Sequence, residues 1–210
     1  GSAIDNIVVT TPKEKTTFKT LDGVERAIDE ETLMICNGDV PVGIAGIMGG
    51  LESEIVEDTG SVVLESANFD GVSIRKSSSR LGHRTDASAR YEKMLDPELT
   101  LDAVGRFVKL VKDIDSGARV ASKLTDKYVK KYPEISLSFN KKYVDRYTGI
   151  DISDEQITKT LTALGFGVEY ANGEYTVKVD GCYGLSNVAA TVTIKTKENA
   201  HRIRFVFVRS

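Results

Sequence analysis

"SVVLESANFDGVSIRKSSSR", residues 61–80, decides the fold class, because its pattern changes halfway along. Its first part is a run rich in β-branched residues that reads as a strand ending at Glu65, buried on at least one face. From Phe69 to Arg80 the apolar spacing turns helical, and Asp70 stands where a side chain can cap the first turn. Strand followed directly by helix points to an α+β chain.

Upstream, the first quarter reads as short strands with turn punctuation. "NIVVT" (6–10) is one. "TTFKTLDGVERAI" (16–28) is a hairpin turning at Leu21-Asp22-Gly23, and "ETLMICNGDVPVGIAGIMGG" (31–50) turns at Asn37-Gly38. Downstream, "DPELTLDAVGRFVKLVKDI" (96–114) is the clearest helix, with Asp96 as cap, Pro97 in the first turn and Leu101, Val104, Val108 and Val111 on one face. After a strand-like "ARVASKLTDKYV" (118–129), "KKYPE" mixes charge with proline and reads as a linker.

The second unit starts with a strand and a short helix. Ser153 and Gln156 then form a capping box for a helix carrying Ile157, Leu161 and Leu164. Gly165 stops that helix, and Asn172-Gly173 turns a hairpin. From residue 180 the pattern weakens to two strand-like runs, 188–194 and 202–208. The expected organisation is a mixed-sheet domain over 3–130, a linker at 131–134, and a smaller α+β domain over 135–210 with an atypical tail from 180.

At 210 residues, with 40% hydrophobic and 28% charged residues, the chain can bury two cores and has no disordered or fibrous character. A net charge of -3 argues against a protein that coats nucleic acid generally, so any phosphate-binding patch must be local. Cys36 and Cys182 stand far apart without metal-ligand spacing, which favours a reducing, cytoplasmic setting. No apolar run suits a membrane span or a secretory leader. Gly1-Ser2 followed at once by "AIDNIVVT" reads as the start of an excised piece of a longer protein.

His83 and His201 are the only histidines, and no Gly-x-Ser-x-Gly elbow is present, so a Ser-His-Asp triad and a histidine metal site both lack support. The glycines at 43, 46, 49 and 50 lack phosphate-loop spacing. They serve either tight turns with close strand packing or main-chain approach to a ligand. Glu65 either reaches the surface or lines a pocket wall, since a buried carboxylate needs partners or takes up a proton. Arg75, Lys76, Arg80, Arg84 and Arg90 form a basic segment opposed by few nearby acids, suited to phosphates or to a solvated helix face. Tyr128, Tyr132, Phe139, Tyr143 and Tyr147 flank lysines, a pattern of stacking platforms but more often of core packing.

Four blocks in register carry a resemblance: "PVGIAGIMGG" (41–50), "LESANFD" (64–70), "SIRKSSSRLG" (73–82) and "RTDASARYEK" (84–93), the last followed by Asp96-Pro97. Over roughly residues 3–120 the chain resembles the editing domain of the β subunit of bacterial phenylalanyl-tRNA synthetase. Residues 135–179 resemble the small RNA-binding-like domain that follows it. The resemblance implies hydrolysis of tyrosine wrongly esterified to tRNA(Phe). A pocket shaped for phenylalanine rejects an added hydroxyl only about a hundredfold, so a second site must demand that hydroxyl.

Glu65 matches the family residue that accepts the tyrosine O–H, and Gly49, with Gly50 beside it, matches the glycine whose main chain meets the same group. Thr85 and Ala87 match pocket-lining positions, the small Ala87 leaving room for the ring. Arg75, Lys76, Arg80 and Arg84 are the cations available to the tRNA acceptor end. No catalytic side chain is assigned: water attacks the ester, positioned by main-chain donors.

No cofactor or metal is expected in these residues; ATP, magnesium and the α subunit belong to the parent synthetase. The family's His-Ala-Phe-Asp motif, whose histidine serves editing, matches nothing here, so poor substrate binding or slow hydrolysis is expected. The tail also lacks the family's magnesium-bearing "DLIEEI"-like helix. The alternative expectation is a non-catalytic module that holds tRNA or scaffolds the subunits.

Overall fold

Turn chemistry and alternation in the first fifty residues build six short strands: β1 (Ile7–Thr10), β2 (Thr16–Lys19), β3 (Glu25–Ile28), β4 (Met34–Asn37), β5 (Val40–Ile44) and β6 (Met48–Gly49). The computed structural model describes residues 6–93, 95–129, 135–179 and 200–209. They divide between two compact units, residues 1–131 with 186–210, and residues 132–185. In the first unit β1, β4, β5 and β6 form an antiparallel sheet in the order β1–β4–β5–β6, and β2 and β3 form the expected hairpin. Gly23 and Gly38 take φ of +77° and +60° in the two turns, the left-handed region that glycine enters without strain.

β7 (Ser61–Phe69) follows and runs nine residues, so Glu65 is its midpoint rather than its end. Alternation puts Val63, Ala67 and Phe69 against the main core with Ile7, Val9, Ile28, Leu33 and Ile74. The opposite face puts Val62 and Leu64 against a second core. The apolar run stops at Leu64, but two of the polar residues beyond it, Ser66 and Asn68, are satisfied within the fold, which lets the strand continue. Ser66 donates to the Thr100 carbonyl at 2.9 Å, and Asn68 donates to that of Leu95.

Three helices come next: α1 (Gly71–Arg80), α2 (Asp86–Tyr91) and α3 (Leu99–Ile114). Asp70 caps α1 as expected, accepting from Ser73 N at 2.7 Å. α3 starts later than the sequence suggests: Asp96 accepts from Glu98 N at 2.9 Å, but Glu98 occupies the N-cap position. Its inward face is Val104, Phe107, Val108 and Val111 with a buried Thr100, while the predicted core residue Leu101 is 48% exposed.

The expected mixed sheet is replaced by antiparallel pairing throughout the described residues. β8 (Arg119–Val120) and β9 (Thr125–Tyr128) pair one edge of a late strand, numbered β13 (Ala200–Arg209), whose other edge pairs β7 along its whole length. The second domain expected over 135–210 is corrected accordingly, because residues 200–209 close the first unit's sheet. The linker 131–134, the strand-like run 188–194 and Cys182 lie outside the described residues.

The second unit is β10 (Ile135–Asn140), α4 (Lys141–Thr148), α5 (Asp154–Ala163), β11 (Gly167–Ala171) and β12 (Glu174–Val179), with sheet order β10–β12–β11. Its core gathers Ile157, Tyr175 and Val177 with Phe139, Val144, Leu161 and Phe166. Leu164, assigned to that face by spacing, is 58% exposed because the helix has ended there. Ser153 accepts from Gln156 N at 3.2 Å, but the Gln156 side chain turns to Thr160 at 3.0 Å, so only half of the predicted capping box forms. Asn172 and Gly173 turn the β11–β12 hairpin at φ +53° and +83°, the pair of positive angles a two-residue hairpin demands. The α+β class holds in both units.

Candidate functional site

Period-two alternation fixes where the Glu65 carboxylate goes. It leaves β7 on the same side as Val63 and Ala67, towards the main core. The residue is half-buried, and among the described residues no hydrogen bond or ion pair reaches it. Lost hydration pushes its carboxyl from 4.5 up to about 7. A carboxylate held there without a protein partner is costly for stability alone, which makes the place a candidate site.

The glycine-rich loop between β5 and β6 packs beside this face. Gly46 has φ +66°, and a Cβ there would meet Ile74 Cδ1 at 3.0 Å, Phe69 Cδ2 at 3.0 Å and Tyr91 Cδ2 at 3.3 Å. Gly49 and Gly50 are engaged by the β2–β3 hairpin. The Gly49 carbonyl accepts from Leu21 N at 3.0 Å, and Leu21 Cδ1 would lie 3.1 Å from a Cβ at Gly49. Gly50 gives its N–H to Val42 O at 2.8 Å, and Phe18 Cζ would lie 2.5 Å from its Cβ. The main-chain donor expected at Gly50 is therefore spent inside the sheet. Gly49 sits opposite Gly43, next to the bonded Gly50–Val42 pair, so antiparallel alternation turns its backbone groups away from β5.

Thr85, expected to line the pocket, is the N-cap of α2. Its hydroxyl accepts from Ser88 N at 3.1 Å and donates to Ile47 O at 2.8 Å, tying the helix to the glycine-rich loop. Ser88 Oγ accepts in return from Thr85 N at 2.9 Å. Ala87, half-buried, lies one residue into that helix. At the other end Tyr91 meets Phe69 edge-on, ring centroids 5.0 Å apart at 62°. Burial and then the negative Glu65 both push the Tyr91 hydroxyl well above its ordinary pKa, so the two groups sense one another.

Sequence reasoning did not single out Tyr91, and it named Gly46 only together with the glycines at 43, 49 and 50. Gly46 lay inside a glycine run whose members could not be told apart. Nothing local links Tyr91 to Glu65, and a Thr-x-x-Ser box hides α2 from a search for Glu or Gln at the third helical position.

The basic segment is less free than its sequence neighbours suggest. Arg80 pairs with Asp29 at 2.7 Å and Glu31 at 3.0 Å, and Arg84 pairs with Glu92 at 2.5 Å. The acids that oppose Arg80 come from the β3–β4 turn, some fifty residues upstream in sequence. Arg75 and Lys76 stay exposed, with no ion pair among the described residues.

His83 is a packing residue. Its Nε2 lies 3.3 Å from Met48 Sδ and 4.0 Å from Asp22 Oδ2, and burial followed by the nearby Arg26 charge lowers its pKa. Burial raises the Cys36 thiol to about 11, which keeps it unreactive. Among the described residues no three His, Cys, Asp or Glu side chains gather as a metal site, and no helix is long and apolar enough to cross a membrane.

Comparison with known proteins matches residues 2–116 to the B3/4 domain and residues 137–182 to the tRNA synthetase B5 domain. The phenylalanine–tRNA ligase β subunit of Clostridium tetani is 43% identical over 160 residues, 76% of this chain and 20% of that protein. The β subunit from Clostridium acetobutylicum is 42% identical over 166 residues (79% and 21%), and that from Salinibacter ruber 36% over 167 (80% and 20%). The chain spans about a fifth of the length of these relatives. It belongs to the B3/4 domain family, carries a B5 domain after it, and is homologous to part of the phenylalanine–tRNA ligase β subunit.

Proposed function

We propose that this chain carries a proofreading step of phenylalanine–tRNA ligase, the hydrolysis of tyrosine wrongly esterified to tRNA(Phe). The observation that carries the reading is Glu65: an acceptor without a partner, on the core face of β7, beside a loop and a helix locked to each other. A phenol O–H meets that acceptor, whereas phenylalanine would bury it unpaired, a loss on the order of 1–3 kcal/mol or more for a charged group. Ala87 leaves room for the ring, and Thr85 holds α2 against the loop. Water adds to the ester carbonyl, the bond to the ribose oxygen breaks, and free tyrosine and the tRNA 3′ end leave. No side chain of this chain forms a covalent bond to the substrate.

Gly49's N–H, on the edge turned from β5 towards the β2–β3 hairpin, is the donor candidate, while Gly50 supports it from within the sheet. Arg75 and Lys76 are the cations ready for the acceptor end of tRNA. Arg80 and Arg84 would first have to leave their acids. The setting is the cytoplasm, with the α subunit as partner and ATP and magnesium serving aminoacylation elsewhere in the parent enzyme.

The consumption of Gly50's N–H inside the sheet favours a second reading, a module that holds tRNA or scaffolds subunits without hydrolysis. Deacylation of tyrosyl-tRNA(Phe) and phenylalanyl-tRNA(Phe) by the purified chain separates the two. Release of tyrosine above the uncatalysed rate, with phenylalanine retained, supports proofreading. Binding without release supports the module.

A further inference from the structure

Tyr91, whose ring packs on the core face of β7, and Glu65 each carry a polar group without a hydrogen-bond partner among the described residues, and the mechanism above uses only one of them. The Tyr91 ring cannot swing away. Phe69, four residues along β7 on the same face as Glu65, holds it edge-on at 5.0 Å. The loop closes on both rings so tightly that even a Cβ at Gly46 would come within 3.0 Å of Phe69 and 3.3 Å of Tyr91. The helix that carries Tyr91 is pinned to the same loop by the Thr85–Ile47 hydrogen bond of 2.8 Å. Carboxylate, loop and phenol are one preorganised set, with the Tyr91 hydroxyl positioned by packing rather than by a bond of its own.

The chemistry of a bound phenol calls for both groups. A phenolic hydroxyl donates one hydrogen bond and also accepts, whereas an ionised carboxylate can only accept. A phenolic oxygen has two lone pairs, so beyond Glu65 and a single main-chain donor at Gly49 it can accept one hydrogen bond more. We propose that Tyr91 is a second specificity-determining residue, donating its O–H to the oxygen of a substrate tyrosine whose own O–H is donated to Glu65. This rests on the proofreading reading and deepens it, since the pocket would then test the hydroxyl as donor and as acceptor. The charge coupling between the two groups agrees with their facing one space: the negative Glu65 disfavours ionisation of Tyr91, which keeps Tyr91 a donor.

The test uses the whole chain, wild type and Tyr91→Phe, a change that removes one oxygen and keeps the ring. Affinities for L-tyrosine, L-phenylalanine and 4-amino-L-phenylalanine are measured by calorimetry, with thermal melting as a control on folding. The amino analogue donates as tyrosine does but is a poor acceptor, so only a donor from the protein makes the site prefer tyrosine over it.

The expected result is a wild-type preference for tyrosine over both analogues. In Tyr91→Phe the preference over the amino analogue disappears, tyrosine affinity falls about tenfold, as for one lost hydrogen bond, and melting is unchanged. A variant that keeps the wild-type preference over the amino analogue overturns the role of Tyr91 and leaves the Glu65 reading standing. A wild-type chain that does not distinguish tyrosine from phenylalanine overturns both.

Discussion

Glu65 places function and stability in opposition. Its carboxyl is raised from 4.5 to about 7 in the fold, so between those values the unfolded chain has lost the proton while the folded chain keeps it. The folded state then binds more protons, and the group's contribution to stability falls as pH rises from about 4.5 to 7 and is flat above. Glu65→Gln removes this loss. The variant is expected to be more stable than wild type at pH 8 by on the order of 1–2 kcal/mol, discounted for the part of the side chain that water still reaches, and to show no gain at pH 4. Denaturant melts at the two pH values measure it, and equal curves at pH 8 would remove the claim that the carboxylate is held dehydrated. Ala87→Trp tests the room beside it. On the proofreading reading, tyrosine binding is abolished while the melting curve stays cooperative, and calorimetry showing wild-type affinity would refute the placement of the ring.

At the level of elements, the hairpin of β2 and β3 acts as a clamp on the end of the glycine-rich segment. Leu21 and Phe18 cover Gly49 and Gly50, and the buried Thr20 makes a bridge to Gly50. Gly50→Ala drives a methyl into Phe18 Cζ at 2.5 Å and Val42 O at 3.1 Å, so overpacking should cost about 1–3 kcal/mol. A loss of that size in chemical denaturation is the expected outcome, and an unchanged midpoint would show that the clamp is loose. The same element explains a misreading of the sequence. The glycines at 43, 46, 49 and 50 look equivalent in the chain. Tertiary packing separates them into one that needs a left-handed turn against three side chains and two that lie under a hairpin.

For the whole molecule, β13 is the element that composition and pattern could not place. The strand character of 202–208 was readable, but its partner was not, because pairing with β7 joins residues some 140 positions apart. Ending the chain at Val179 removes the strand that lies between β7 and the pair β8 and β9. Two outcomes are expected by hydrogen exchange: lost protection of the β7 amides that face β13, and unchanged protection in β10 to β12, which belong to the other unit. Retained protection in β7 would show that β13 does not hold that edge.

By itself the sequence determined the local elements: the caps at Asp70 and Ser153, the turns at Gly23, Gly38 and Asn172-Gly173, the α+β class, and the four motif blocks with their resemblance. These are properties of a few consecutive residues, where backbone angles and side-chain spacing act directly. Only the tertiary structure decided the rest. Glu65 lies at the middle of its strand because Ser66 and Asn68 find carbonyls supplied from far along the chain. Arg80 is neutralised from the β3–β4 turn, and Tyr91 packs on Phe69 of β7 because α2 is tied to the loop before it. Such partners are brought together by burial, which acts on surfaces and leaves no periodic trace in the order of residues.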